Sequence, residues 1–539
     1  MTGCSWLRAL LGALTASALL FSACDGGGSP ARSPSPDTTT PANDGTPASL
    51  PTGVIDFAAE PPPSTIYGAD AGDFAEAGAP LASGDFNSDG RPDLLIGAAF
   101  GDGPHGDRQD AGEAYVIYGE ESQPQTLDLA DAPQDVTFFG ASAGDNLGWS
   151  VMATDLNGDG EDDVVIGAPG VTAGADPRTD QGRVYIFFGP LDVSEDVDIG
   201  EDPQDFTATG AEGFSRLGHA LTDGDVNGDG LSDLILGAPF AGREVGAPPG
   251  SPRKEAGEVY VIFGSSSGLS GELNIAFDLP DFMVSNEQRF SQFGGTVAAG
   301  DVNGDGIDDV IAGAPQMTIE GREAAGAVYV FFGQRDLGGR RFILNGEQDA
   351  TFAGAEARAA FGFPLASADV NGDGTDDIVA GARGGNGPAG KRPSAGEAYA
   401  LFGPPSGVRD LASDPPDVTI YGAGSAHLLP TSLALADVNG DTSSDILIAT
   451  TAGPGERLGA GEVYAVLGGD SLPPEIDLAE DVERFSLLGA QPDDRLGGAL
   501  TSAEHAEGRL SLLMLAVGGD GPEDSRIDCG EVYSLPLSP

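Results

Sequence analysis

Six nine-residue segments of the chain carry oxygen-bearing side chains at the same four positions. Each has aspartate at positions 1, 5 and 9 and asparagine at position 3. These residues are Asp85, Asn87, Asp89 and Asp93; Asp155, Asn157, Asp159 and Asp163; Asp225, Asn227, Asp229 and Asp233; Asp301, Asn303, Asp305 and Asp309; Asp369, Asn371, Asp373 and Asp377; and Asp437, Asn439, Asp441 and Asp445. The first aspartates are separated by 70, 70, 76, 68 and 68 residues, a regularity that chance Asp-Gly turns do not produce.

This donor set predicts one calcium site in each segment. Hard oxygen donors, three of them charged, suit Ca²⁺ rather than a transition metal, and we expect the position-7 carbonyl to contribute as well. Glycine at position 6 permits the left-handed turn that wraps the chain around an ion. Thr442 replaces this glycine in the sixth segment, so we expect that site to be the weakest. About six structural calcium ions are therefore predicted.

An EF-hand begins with the same residues but requires a bidentate glutamate at position 12 and flanking helices. Position 12 is apolar in all six segments and lies in a strand-like pattern: Ile96, Ile166, Leu236, Ala312, Ala380 and Ile448. The EF-hand alternative is therefore rejected.

Other candidate chemistry is weak. Two Gly-x-Ser-x-Gly strings centre on Ser142 and Ser266, but a nucleophile elbow needs a strand-to-helix turn, which neither context predicts. The four histidines fall in different repeats. Arg392 stands where a phosphate-binding loop after Gly385 needs Ser or Thr. We therefore expect no enzymatic activity.

A fixed frame of short strands surrounds each Asp-rich segment. An alternating stretch such as Trp149–Ala153 precedes it, and a β-branched run such as Val164–Ile166 follows. A third strand comes next, as in Gly182–Gly189, and Thr126–Ala130 is typical of a fourth, less regular one. Four strands in about 70 residues predict one β-propeller blade.

Three motifs recur in fixed order: Phe-Gly or Leu-Gly pairs such as Phe293-Gly294, the Asp-rich segments, and Gly-Ala-Pro triplets such as Gly237–Pro239. The region from about Thr52 onward thus resembles the FG-GAP repeats of the integrin α-subunit N-terminal β-propeller. The resemblance implies an all-β, seven-bladed propeller of four-stranded blades. Six blades carry a calcium loop, and a seventh unit near His505 lacks the Asp series. By the same resemblance, Gly53–Phe57 is the N-terminal strand that closes the last blade.

The acidic composition limits the partners of the chain. With 85 acidic and 25 basic residues, the formal charge of −60 excludes nucleic acid and anionic membrane surfaces as direct electrostatic partners. The three cysteines leave no internal disulfide once a signal segment is removed, which favours stabilisation by metal.

The N-terminus indicates export. Residues 1–23 are predicted as a lipoprotein-type signal peptide, because a short apolar run ends at a lipobox-like Phe21–Cys24. Lipidation of Cys24 would provide the only membrane attachment, and ordinary signal cleavage is the alternative. Residues 24–52 are predicted as a flexible linker rich in Pro, Ser, Thr and Gly, and residues 53–539 as the propeller. We expect a bacterial protein on the cell envelope or surface, or otherwise a secreted one.

The loops joining second and third strands carry much of the scarce positive charge: Arg108, Arg178, Arg243, Arg253, Lys254, Arg322, Arg383, Lys391 and Arg392. In blade five the stretch from Arg383 to Ser394 contains no acid, which suggests an anion-binding site at Arg383, Lys391 and Arg392. We predict a monomeric surface binding or adhesion module for an unknown extracellular protein or glycan. The alternatives are an accessory of a carbohydrate-active enzyme and a structural scaffold of the cell envelope.

Overall fold

The computed structural model describes residues 53–69, 74, 80–120, 126–130, 135–172, 180–191, 196–211, 213–242, 256–453, 457–480, 485–505, 509–519 and 529–537. The predictions for Cys24, the signal peptide and the linker lie outside these ranges, as do Arg178, Arg243, Arg253 and Lys254. None of the described helices has the length and hydropathy needed to span a membrane.

The described chain forms seven five-stranded sheets, which confirms the all-β, seven-bladed propeller. Strands are numbered along the chain, and each blade is given in order from its first to its fifth strand. Blade one contains β3 (Leu81–Gly84), β4 (Asp93–Ala98), β5 (Glu113–Ile117), β7 (Val136–Phe139) and β11 (Val197–Asp198). Blade two contains β8 (Ser150–Thr154), β9 (Asp163–Ala168), β10 (Arg183–Phe187), β12 (Phe206–Thr209) and β16 (Gly271–Asn274). Blade three contains β13 (Ala220–Gly224), β14 (Asp233–Ala238), β15 (Glu258–Ile262), β17 (Phe282–Ser285) and β21 (Gly339–Phe342).

The remaining four blades follow the same plan. Blade four contains β18 (Thr296–Gly300), β19 (Asp309–Ala314), β20 (Ala327–Phe331), β22 (Ala350–Ala353) and β26 (Gly407–Asp410). Blade five contains β23 (Phe361–Ala368), β24 (Asp377–Ala382), β25 (Glu397–Leu401), β27 (Val418–Tyr421) and β31 (Glu475–Asp477). Blade six contains β28 (Leu433–Ala436), β29 (Asp445–Thr450), β30 (Glu462–Val466), β32 (Phe485–Leu488) and β1 (Gly53–Asp56). Blade seven contains β33 (Leu496–His505), β34 (Arg509–Ala516), β35 (Glu531–Leu537), β2 (Ser64–Tyr67) and β6 (Thr126–Asp128). Two 3₁₀ turns lie at Ile343–Asn345 and Pro388–Gly390.

The fifth strand of each blade corrects the predicted four-stranded plan. It comes from the chain between the third and fourth strands of the following repeat, and it pairs in parallel with the fourth strand, as β11 does with β7. The prediction that Thr126–Ala130 forms the fourth strand of its own blade is therefore wrong. The segment Thr126–Asp128 edges blade seven beside β2, and Val136–Phe139 is the fourth strand of blade one.

The N-terminal strand lies one blade away from its predicted place, because it too serves as a fifth strand. The segment predicted to complete the last blade, β1, pairs in parallel with β32 at the outer edge of blade six. The next strand, β2, pairs antiparallel with β35 and supplies the fourth strand of blade seven. Blade seven therefore combines strands from both ends of the described chain.

Two glycines explain why the Phe-Gly and Gly-Ala-Pro motifs occur together. A Cβ atom added to Gly237, in the triplet of blade three, would lie 2.1 Å from the carbonyl oxygen of Gly294, in the Phe-Gly pair that follows. The same contact joins Gly167 to Gly218 at 2.4 Å and Gly97 to Gly148 at 1.9 Å. Only glycine permits the backbones of neighbouring blades to approach this closely.

The hydrophobic core is divided among the interfaces between blades. Seven clusters each combine the apolar faces of two adjacent blades. Between blades one and two, for example, the rings of Phe138 and Phe187 lie 4.6 Å apart. The cluster containing Leu94 and Leu515 joins blade one to blade seven, so the packing continues around the ring.

Candidate calcium loops

All six Asp-rich segments occupy the same place in their blades. Each connects the first strand to the second, and its position-9 aspartate is the first residue of the second strand, as Asp93 is of β4 and Asp445 of β29. The structure therefore brings the four predicted residues of each segment into a single loop. Because the second and third strands are joined at their other ends, the six loops lie on one face of the propeller and the predicted basic loops on the opposite face.

The position-1 aspartate holds the loop in a wrapped conformation. The carboxylate of Asp85 accepts hydrogen bonds from the backbone N–H groups of Asp89 at 3.0 Å and Gly90 at 2.7 Å. The equivalent pair of bonds is present in all six loops. In each loop the position-5 carboxylate also accepts the N–H of position 7, as Asp89 does from Arg91. These bonds shape the loop with only its own polar atoms.

The position-9 aspartate ties each loop to the blade. Asp163, for example, is fully buried and accepts backbone N–H groups from Leu156 and from Gly189, which follows the third strand, both at 2.9 Å. Burial, together with the charges of Asp155 and Asp159, raises the pKa of Asp163 to about 7. The same causes raise the pKa to about 7 for Asp93, Asp233, Asp309 and Asp377, and to about 6 for Asp445.

The loops fit calcium by donor chemistry and by charge. Asp85 and Asp89 both raise the pKa of Asp93, so the three carboxylates of that loop lie within electrostatic reach of one another. A cation among them would replace this repulsion with attraction. Within the described ranges, no group of three or more His, Cys, Asp or Glu side chains is arranged as a ready-made metal centre. The predicted set also uses an asparagine and a backbone carbonyl, and calcium binding by these residues stays a prediction.

In the sixth loop, a residue other than glycine occupies the left-handed backbone conformation of position 6. The five glycines at this position have φ between +79° and +90°. Thr442 adopts φ +79° at the same place, and its N–H still donates to Asp437 at 2.7 Å. A β-branched residue in this region is strained.

Position 8 holds a group of carboxylates that the sequence reasoning missed. Asp162, Asp308 and Asp376 each accept the position-1 backbone N–H of the preceding blade, at 2.8, 2.9 and 3.0 Å respectively. Burial raises the pKa of all three carboxyls. A sequence signal was present, because position 8 is aspartate in three repeats and serine or proline in the others.

On the opposite face, four arginines of the loops between second and third strands form internal ion pairs. Each pairs with the aspartate that ends the fifth strand of its own blade: Arg108 with Asp198 at 2.5 Å, Arg322 with Asp410 at 2.8 Å, Arg392 with Asp477 at 2.5 Å, and Arg457 with Asp56 at 2.6 Å. The guanidinium also donates to a backbone carbonyl that follows the fourth strand. Much of the positive charge predicted to meet an anionic partner thus fastens the fifth strand.

The three predicted anion-binding residues of blade five lie in different surroundings. Arg392 is engaged with Asp477, whereas Lys391 is exposed. The guanidinium of Arg383 lies 5.5 Å from the centre of the Phe363 ring. Anion binding at this loop stays a prediction.

The two serines with elbow-like sequences lie in turns between strands. Ser142 is exposed between β7 and β8, and Ser266 lies between β15 and β16. Neither precedes a helix in the described chain, so neither has the strand-to-helix geometry of a nucleophile elbow.

Comparison with known proteins identifies the repeats. The FG-GAP repeat model matches residues 77–117, 147–187, 218–262, 293–331 and 361–401. The chain is 32% identical over 232 residues to phosphatidylinositol-glycan-specific phospholipase D of Homo sapiens, covering 42% of this chain and 25% of that protein. It is 30% identical over 276 residues to integrin alpha pat-2 of Caenorhabditis briggsae, covering 50% and 20%, and 31% identical over 262 residues to integrin alpha-PS5 of Drosophila melanogaster, covering 48% and 22%.

The chain thus spans a fifth to a quarter of the length of these relatives. Among solved structures, BBS1N in complex with ARL6DN aligns over 87% of this chain and 94% of that chain, at 10% identity and a TM-score of 0.43. The repeats and the integrin relatives agree with the seven blades of the fold. The chain contains FG-GAP repeats and folds as an integrin-like, seven-bladed β-propeller.

Proposed function

We propose that this chain is a calcium-stabilised, exported propeller that binds an extracellular protein or glycan without catalysing a reaction. The six loops on one face would hold calcium and fasten the inner strands of their blades. The opposite face, whose loops differ most between repeats, would contact the partner. Similarity to integrin α subunits supports an adhesion-type role.

The observation that carries the binding role is a pair of strained, exposed aromatic residues on the opposite face. Phe214 and Phe290 follow the fourth strands of blades two and three, with φ +63° and +61°, and are 45% and 55% exposed. The equivalent residues of other blades are Gly144, Arg358, Ala426 and Asp493. The left-handed φ recurs at these equivalent residues, from +64° to +81°, so the exposed aromatic rings are what distinguish blades two and three. Aromatic residues are enriched at protein interfaces.

An array of glycans and matrix proteins tests this role. We expect retention of at least one partner by the full chain in calcium and loss of retention in EGTA. The double variant Phe214→Ala/Phe290→Ala should weaken retention at unchanged calcium uptake. Phe277→Ala is the matched control, because Phe277 is 86% exposed at the outer edge of blade two with ordinary backbone angles. Equal loss in both variants would argue against a site at Phe214 and Phe290.

An enzymatic role is the second candidate, and the names of the phospholipase relatives favour it. Two cavities lie along the first strands of the blades. The larger, about 740 Å³, is lined by Asp85, Arg91, Asp162 and Asp437, all of which belong to the Asp-rich loops. The other, about 440 Å³, runs along the first strands of blades three to seven, and none of its lining residues carries a formal charge, which argues against catalysis there. Burial lowers the pKa of His219, the one ionisable side chain of that lining, to about 4, so its imidazole is neutral at physiological pH. Release of products from phospholipid or glycan substrates by the purified chain would favour the enzyme.

Attachment to the membrane through Cys24 is a separate part of the proposal. It is supported by the lipobox-like residues before this cysteine. Mass spectrometry of the mature N-terminus should find an acylated cysteine, and Cys24→Ala should release the protein into the soluble fraction. An unmodified N-terminus at another residue would show ordinary signal cleavage instead.

A further inference from the structure

At three junctions, the position-8 aspartate of one loop accepts the position-1 N–H of the loop in the preceding blade. At each of these junctions a glycine comes directly before position 1. We call each such pair a Gly–Asp bridge. Gly84 ends the first strand of blade one, and the next residue, Asp85, donates its backbone N–H to Asp162 of blade two at 2.8 Å. A Cβ atom on Gly84 would lie 2.7 Å from the carboxylate oxygen of Asp162. The φ of Gly84 is not in the left-handed region, so the glycine is needed for space and not for backbone conformation.

The same pair recurs at two other junctions. A Cβ atom on Gly224, which precedes Asp225, would lie 2.8 Å from the Cβ of Ala299 and 3.0 Å from the carboxylate of Asp308. A Cβ atom on Gly300 would lie 2.6 Å from the carboxylate of Asp376. At both junctions a second bond runs back, from the N–H of the bridging aspartate to the carbonyl of the position-1 aspartate, at 3.1 Å. Two adjacent loops are thus joined by a reciprocal pair of hydrogen bonds.

The chain also contains its own negative examples. In blades two, five and six the residue before position 1 is Thr154, Ala368 or Ala436, each with a Cβ atom. The following loop has Ser232 after blade two and Ser444 after blade five, and blade seven has no Asp-rich segment. Glycine and aspartate therefore occur together at three junctions and are absent together at the others. A requirement for close approach explains this joint pattern, whereas a general excess of acidic residues does not.

Each bridging aspartate belongs to one loop and holds the loop of the preceding blade. Asp162 lies beside Asp163, the position-9 donor of blade two, and its carboxylate fixes the N–H of Asp85, the position-1 donor of blade one. Ordering of either loop around an ion therefore orders the groups that form the bridge and favours order in the other. Coupling of this kind is reciprocal by thermodynamic necessity.

We propose that these Gly–Asp bridges couple calcium binding in two groups of blades, one and two, and three to five. Asp162, Asp308 and Asp376 are positioning residues for the neighbouring loop and do not belong to the predicted ligand set. The proposal rests on the proposed function, since it concerns the calcium expected in the six loops.

Loop knockouts in the full chain test the coupling. Asp89→Ala disables the loop of blade one. Asp441→Ala is the control, because it disables the loop of blade six, which has no Gly–Asp bridge and does not adjoin blade two. Calcium uptake is measured by isothermal titration, and hydrogen exchange of residues 155–163 reports the calcium midpoint of the blade-two loop. Asp89→Ala should raise that midpoint at least about fivefold, the low end of ordinary coupling between sites. Asp441→Ala should leave it unchanged.

Removing the bridge should abolish this effect. In an Asp162→Ala background, Asp89→Ala should no longer move the blade-two midpoint. Asp162→Asn keeps an acceptor oxygen for the N–H of Asp85 and should retain the coupling. If Asp162 acted only through its negative charge, Asp162→Asn would abolish the coupling. If the wild-type chain takes up no calcium, the proposed function fails. If it takes up calcium and Asp89→Ala leaves the blade-two midpoint in place, the coupling alone is overturned.

Discussion

The guanidinium of Arg457 forms a two-pronged ion pair with the carboxylate of Asp56, 401 residues earlier in the chain, at 2.6 and 2.8 Å. Asp56 ends β1, which lies parallel to β32 at the outer edge of blade six. The pair therefore fastens the N-terminal strand to a blade formed near the other end of the chain. Three further blades use the same Arg–Asp arrangement, so it is a recurring structural device of this propeller.

Arg457→Ala should loosen β1. The change removes both bonds to Asp56 and the bond to the Gly489 carbonyl, so we expect faster hydrogen exchange of residues 53–56 with little change in blades one to five. The control is Arg358→Ala, because Arg358 is 83% exposed and lies 3.9 Å from Glu323 in a weak surface pair. Unchanged protection of β1 in Arg457→Ala would contradict the fastening role.

Gly237→Ala should be strongly destabilising. Its methyl group would meet the backbone carbonyl of Gly294 at 2.1 Å, and backbone of two packed blades cannot move aside as a side chain can. We expect a loss of about 3 kcal/mol or more in a urea titration, beyond the usual cost of overpacking. Gly338→Ala is the control, since its nearest neighbour, a carbonyl oxygen, would be 3.4 Å away. Similar stabilities of the two variants would refute this account of the paired glycine motifs.

Thr442→Gly should stabilise blade six. Thr442 adopts φ +79°, where glycine carries no steric penalty, and relief of this strain is expected to contribute about 1 kcal/mol. The reciprocal change Gly374→Thr should cost a similar amount in blade five, where the glycine has φ +87°. Urea titrations in calcium check both changes. The two substitutions must change the free energy of unfolding in opposite directions. If both lower it, Thr442 makes a favourable contact of its own.

The calcium-free protein should lose stability as the pH rises. Burial raises the pKa of the position-9 aspartates, for example Asp233 to about 7, above the value of 3.8 for an unperturbed carboxyl. The folded state then binds protons more tightly than the unfolded state, so this contribution is fully present below about pH 4. It is lost as the pH rises through 7. Melting temperatures in EGTA should therefore be higher at pH 5 than at pH 8.

Calcium should weaken this pH dependence, because a cation favours the ionised carboxylates. The comparison is the same pair of melting curves in saturating calcium. A calcium-free protein that is equally stable at both pH values would show that the buried aspartates are already charged without a metal.

The sequence predicted the loops well because their chemistry is local. All four predicted ligand residues of a loop lie within nine residues, and the turn that arranges them is formed by bonds such as that from the N–H of Gly90 to Asp85 inside the same segment. The spacing of the six segments then sufficed to predict the repeat, and the resemblance to FG-GAP repeats supplied the blade number.

The sequence did not predict contacts that cross between blades. Thr126–Asp128 and Val136–Phe139 are both short. Because Thr126–Asp128 comes first after β5, chain order alone favours its pairing with β5, the third strand of blade one. Its actual partner, β2, lies about 60 residues earlier and belongs to blade seven. The ion pair of Arg392 is equally hidden in the sequence, because its partner Asp477 is 85 residues away. The sequence therefore predicts Arg392 as a ligand-binding residue.

Thermal unfolding with and without calcium tests the central claim most directly. A site with a dissociation constant of about 10⁻⁴ M contributes about 1.4 kcal/mol at about 1 mM calcium, and six independent sites about 8 kcal/mol. Coupling within the two groups would sharpen the calcium dependence without changing its direction. We predict that excess EGTA lowers the melting temperature by roughly 10 °C, and that added calcium restores it. A melting curve that is the same in EGTA and in calcium would contradict calcium as a structural component of this propeller.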